Sequence, residues 1–111
     1  MGLKTTNYVS KSTGILLPEA YAVLTNLIVE TDNRVRAIFA IQASRKATKL
    51  YKAVDKVEVR FTWDRKTDVA KMAYDKAKTE ISVYEEYDEK LQKNVVLTAY
   101  GTLYGWQDDI V

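Results

Sequence analysis

The sequence predicts an α+β domain: a small antiparallel β-sheet or sandwich of about five strands in two hairpins, one α-helix near residues 67–80, and extended N- and C-terminal arms. Three observations carry this. Val57, Val59, Phe61 and Trp63 alternate with Lys56, Glu58, Arg60 and Thr62, the period-two pattern of a half-buried strand. Val69, Met72, Ala73 and Ala77 recur at helical spacing. The remaining apolar runs are joined by short polar clusters, which suit antiparallel neighbours.

Taken in order, residues 1–14 are polar and end in Ser10-Lys11-Ser12-Thr13-Gly14, so they read as an N-terminal arm with one short strand near Thr6–Val9. Residues 15–111 form a single globular domain that closes in an aromatic segment, 100–111. Glu19–Glu30 fits two patterns. As a helix opened by Pro18 it aligns Ala20, Leu24, Leu27 and Ile28; as a strand it aligns Tyr21, Val23, Leu27 and Val29. Thr31-Asp32-Asn33 can supply the positive φ angles of a tight turn, which favours the hairpin. The second strand, Arg34–Gln42, sets Val35, Ala37, Phe39 and Ile41 on one face.

Residues Ser44–Tyr51 suggest a basic loop or short helical turn before the strand Val54–Trp63. Thr67 is a plausible N-cap for the helix, Asp68 complements the positive end of its dipole, and Lys76 and Lys78 the negative end. Strands at Ile81–Tyr87 and Val95–Tyr104 then flank the polar loop Asp88–Asn94.

Composition limits the chemistry. The 111 residues include no histidine and no cysteine but eight tyrosines and two tryptophans. The commonest acid–base and metal-ligating groups are therefore missing, while the side chains that dominate contact surfaces are plentiful. Hydrophobic residues make up 47% and charged residues 29%, a balance that folds rather than remaining disordered. No apolar run reaches the roughly 20 residues of a membrane span. No secretory signal is visible at the N-terminus, and cytoplasmic synthesis is the default expectation. Met1-Gly2-Leu3-Lys4-Thr5-Thr6 fits the loose N-myristoylation pattern, but an unmodified arm is the preferred reading.

Charge is unevenly distributed. Residues 34–78 hold 13 basic and 5 acidic side chains, net +8, whereas residues 80–111 hold 2 basic and 7 acidic, net −5. Opposite charge on two faces would draw copies together head to tail. The basic stretch Arg45, Lys46, Lys49, Lys52 and Lys56, with Tyr51 inside it, is a possible contact surface, for an acidic partner or for a phosphate backbone. A small nucleic-acid-binding or regulatory module using residues 45–56 is thus the alternative function, although the pI of 8.7 falls below the usual value of about 9 for such domains.

No catalytic, cofactor or metal residues are assigned. Glu85-Glu86-Tyr87-Asp88-Glu89-Lys90 lacks the spacing of a calcium loop, and Asp108-Asp109 alone is too little for a metal. Asp55, Glu58 and Arg60 loosely match a nuclease-like acidic pair, but a solvated strand face accounts for them better. Neither a phosphate-gripping G-x-x-x-x-G-K-[ST] loop nor a G-x-G-x-x-G turn occurs. The interface candidates are Tyr84, Tyr87, Tyr100, Tyr104, Trp106, Asp108 and Asp109, since tyrosine and tryptophan join large apolar area to a polar tip. The same aromatics could equally pack on the chain's own core.

The strings Leu17-Pro18-Glu19-Ala20-Tyr21-Ala22-Val23-Leu24, the alternating Val35–Ser44 run and Tyr104-Gly105-Trp106-Gln107-Asp108-Asp109-Ile110-Val111 resemble small proteins encoded among the tail and baseplate genes of bacteriophages and prophages. The resemblance spans most of the chain. It implies a non-enzymatic virion component of the tail, baseplate or neck, made in the host bacterial cytoplasm and present in many symmetric copies. Its partners would be copies of itself and other virion proteins, through extended arms, with no cofactor and no membrane, and with nucleic acid the disfavoured partner. It carries over no catalytic or ligand residues.

Overall fold

The computed structural model describes residues 2–44 and 53–109. Its centre is the strand pair that alternates most clearly in the sequence. Strand β3 (Arg34–Gln42) runs antiparallel to β4 (Asp55–Thr62), with Val35 opposite Phe61, Ala37 opposite Val59 and Phe39 opposite Val57. These apolar partners share one face, while Arg34, Arg36, Lys56, Glu58 and Arg60 occupy the other. Val35, Ala37, Phe39 and Ile41 are all essentially inaccessible, as their alternation predicts.

Residues 19–30 are strand, not helix: β2 spans Leu16–Val29 and pairs with β3 across a turn at Asn33, whose φ is 68°. The predicted stripe Tyr21, Val23, Leu27 and Val29 is split. A bulge between Leu24 and Asn26 leaves Thr25 unpaired, so Leu27 and Val29 share the face of Ala22 and Leu24, and Tyr21 and Val23 turn to the opposite face. The amide freed near this irregularity is taken up from another element: Leu24 N–H donates to the Tyr74 hydroxyl at 3.0 Å.

The N-terminal segment corrects the expectation of an arm. Strand β1 (Gly2–Val9) lies inside the sheet, between β2 and a short C-terminal strand β7 (Gln107–Asp109), and Leu3 is fully buried. The five-stranded order is β4-β3-β2-β1-β7, antiparallel at every junction. A polar composition suggested a solvated arm, but Thr5 and Thr6 are β-branched, and β1 pairs with β2 from Leu3 to Val9 and with β7 at Gly2–Lys4. The expected C-terminal arm is likewise tied down, by β7. Pro18 lies within β2, where the sheet is still only two-stranded because pairing with β3 begins at Tyr21.

Helix α1 (Val69–Thr79) lies on the apolar face and buries Ala73, Tyr74 and Ala77. Alanines at that spacing let the helix approach closely, and Tyr74 meets Phe39 edge to face at 5.2 Å. The N-cap is Asp68 rather than Thr67: its carboxylate accepts from the amides of Ala70 and Lys71. Asp68→Ala should therefore cost about 1 kcal/mol, read as a lowered urea midpoint with an unchanged slope. Thr67 instead donates its hydroxyl to Asp64. At the far end Lys78 pairs with Asp108 at 2.8 Å, joining helix to tail.

A two-stranded sheet completes the fold, β5 (Ile81–Asp88) with β6 (Lys93–Tyr100). Strand β6 stops short of the predicted Tyr104. Gly101 N–H bonds back to the Glu80 carbonyl, and a turn carries the chain under the helix, where Leu103 and Trp106 enter the core. The β5–β6 hairpin stands off the body. The Cα radius of gyration is 16.1 Å, against about 13 Å for a compact domain of this length.

Candidate interaction surface

The β5–β6 hairpin has no interior face. Register sets Ile81 with Tyr100, Val83 with Thr98, Glu85 with Val96 and Tyr87 with Asn94 on one side. The other side carries Ser82, Tyr84, Glu86 and Asp88 with Ala99, Leu97, Val95 and Lys93. On the first side Ile81, Val83, Tyr87, Val96 and Tyr100 are 54–66% exposed. Five large apolar groups on one small bare face exceed the scattered exposure of an ordinary monomer surface. The outer edges of β5 and β6, unpaired among the described residues, add a second liability, because a two-stranded hairpin is marginal in water without packing. Tyr104 extends the patch at the root, its ring 4.6 Å from that of Tyr100.

The sequence-derived contact residues separate accordingly. Tyr84, Tyr87, Tyr100 and Tyr104 are exposed on or beside the hairpin. Trp106 is not a surface group: it is 6% exposed and packs edge to face on Tyr8 at 5.4 Å. Asp108 is held by Lys78, and Asp109 lies in β7 opposite Gly2, so both serve the tail's attachment. Arg45, Lys46, Lys49 and Lys52 lie outside the described residues, and Lys56 is exposed on β4. Ile81, Val83 and Val96 escaped selection because alternation normally marks a buried face. The available signal was that tyrosines and carboxylates fall on both parities of β5, which leaves neither side suited to a core.

A second apolar cluster, Val9, Ile15 and Leu16, is exposed at the tip of the β1–β2 hairpin. The loop beside it is tied to β4 through Asp55. That carboxylate accepts from the Tyr8 hydroxyl at 2.6 Å, the Ser12 hydroxyl at 2.6 Å, the Ser10 hydroxyl at 3.1 Å and the amides of Lys11 and Ser12. Burial disfavours its charge, but the bonds from Ser12, Tyr8 and Lys11 outweigh that and hold the Asp55 carboxyl well below the usual range. Burial, then the Asp55 hydrogen bond and charge, push the Tyr8 phenol upward.

Asp55 and Glu58 do not converge. They project from opposite faces of β4, and Glu58 instead meets Arg60 at 3.4 Å and Arg36 at 3.6 Å. Among the described residues no cluster of acidic side chains could hold a metal ion, and no helix is long and apolar enough to cross a membrane. No family model matches the chain, nor does any curated protein or solved structure.

Proposed function

We propose that this chain is a non-enzymatic structural protein of a bacteriophage particle, assembling by protein–protein contacts in the tail, baseplate or neck. The observation that carries the assembly role is the β5–β6 hairpin, whose apolar side is bare and whose strands pair with no other strand among the described residues. Covering one large apolar side chain contributes roughly 1.5–3 kcal/mol, so five on one face favour a protein partner strongly. Tyr84, Tyr87, Tyr100 and Tyr104 supply contact area at low entropic cost. Placement in a phage particle rests on the resemblance of the Leu17–Leu24, Val35–Ser44 and Tyr104–Val111 strings.

Two measurements test the two halves. Sedimentation of the purified chain should reveal oligomers, and Val83→Glu should weaken association at least ~100-fold while leaving the thermal midpoint nearly unchanged, since exposed positions matter little to the fold. An unchanged oligomer distribution in Val83→Glu would remove the hairpin from the interface. Mass spectrometry of particles purified from the source strain should find the chain in fixed stoichiometry with tail proteins. Its absence from particles would refute the virion assignment.

A further inference from the structure

The hairpin carries a charge opposite to that of the rest of the molecule. Residues 80–100 hold five acidic and two basic side chains, net −3, and the remainder of the chain holds 10 acidic and 15 basic, net +5. Two hairpins set face to face would bring like charge together. A hairpin set on the body of another copy brings opposite charge together.

The body has one long receptive edge. Strand β4 ends the five-stranded sheet, and its outer side is unpaired among the described residues. It displays Val57, Val59 and Phe61 on the apolar face and Lys56, Glu58 and Arg60 on the polar one. The other end of the sheet is β7, only three residues long. Strand β4 itself is charge-balanced, with Asp55 and Glu58 against Lys56 and Arg60; of the two hairpin strands, β5 carries Glu85, Glu86 and Asp88, so it is the one that can set a carboxylate opposite Lys56.

We infer that β5 of one copy adds to the β4 edge of a second copy of this chain, head to tail. The inference rests on the reading of the hairpin as a contact surface. Side-chain parity selects the register. Facing pairs must set Ile81, Val83 and Glu85 with the apolar side of β4, since a one-residue slip would put Lys56 and Arg60 among them. Within that parity, antiparallel pairing of Lys56 with Glu86 places Glu58 by Tyr84, Val59 by Val83 and Phe61 by Ile81. A two-residue shift one way sets Glu58 against Glu86, and a shift the other way sets Asp55 against Glu85. Both bring like charges opposite each other, which is unfavourable. The chosen register continues the apolar face across the junction and the polar face opposite it. Each copy gives one strand and receives one, so the contact is heterologous and builds a ring or a filament.

The absence of native cysteine makes the test direct. Glu58→Cys and Tyr84→Cys chains, made separately, are mixed and oxidised. Directly opposed residues lie close enough for a disulfide, so the expected product is a covalent dimer containing one chain of each kind. Independently, Lys56→Glu and Glu86→Lys should each weaken association about tenfold, and the doubly exchanged chain should recover it. A cross-link only between two Tyr84→Cys chains, or no recovery in the double exchange, overturns the head-to-tail pairing. If Val83→Glu still abolishes assembly in that case, the hairpin remains the contact surface and only this pairing fails. If Val83→Glu has no effect, the underlying reading fails with it.

Discussion

Replacing Phe39 with alanine should destabilise the domain by about 3–5 kcal/mol, a large share of the roughly 5–15 kcal/mol that holds such a domain together. Phe39 is fully buried at the middle of β3, with Leu24 and Val57 opposite it on the two neighbouring strands. Its ring also meets Tyr74 of the helix at an interplanar angle of 79°. Truncation removes the contact between sheet and helix and leaves a void bounded by backbone that is hydrogen-bonded on both sides, so collapse is limited. Equilibrium urea unfolding should show the loss as a lowered midpoint with an unchanged slope. Tyr74→Phe is the informative companion. It keeps the ring packing and removes the hydroxyl that accepts from Leu24 N–H beside the β2 bulge, so its cost should be smaller, about 1–2 kcal/mol. A Phe39→Ala penalty below about 1.5 kcal/mol would mean that the helix is not held through this ring.

The contrast between these positions and the hairpin explains how far the fold could be read from the chain. Strands β3 and β4 and helix α1 were legible because each buries one face, so burial writes its period into the residues: Val35, Ala37, Phe39 and Ile41 on the sheet, Ala73 and Ala77 on the helix. The turn at Asn33 was legible because few residues tolerate a positive φ. Strand β1 was misread as an arm since its polar side chains say nothing of a backbone paired along β2, and pairing is a non-local property. The β2 stripe failed for a related reason. A one-residue bulge reverses parity, and Thr25 gives no local sign of it. Trp106 and the hairpin aromatics look alike in sequence, yet one is core and the others are bare. What separates them is the turn at Gly101, which returns the chain to the body after β6 has left it. Of the candidate surface, the tyrosines were visible in the sequence, and their common position on a hairpin without an interior was not.

Asp55→Ala should cost about 2–3 kcal/mol at neutral pH, because it removes a carboxylate that takes five hydrogen bonds and strands donors on Tyr8, Ser10 and Ser12. The bonds join residues 43–47 positions apart, so the effect is to release the β1–β2 loop from β4. The sign of the pH dependence follows from the direction of the shift. The folded carboxyl titrates below its ordinary value of 3.8, so folding favours the ionised form. That contribution is complete above 3.8 and is lost as pH falls from there toward the folded-state value. The alanine variant has no such group to protonate. The gap in unfolding free energy between wild type and Asp55→Ala should therefore be constant between pH 5 and pH 7 and should narrow steadily below about pH 4. Asp55→Asn separates charge from shape: it keeps an acceptor for some of the donors but cannot ionise, so it should lose less than alanine at neutral pH and show the same convergence with wild type in acid. A gap that widened on acidification would show that the carboxylate is held in the fold at a cost rather than stabilised by it.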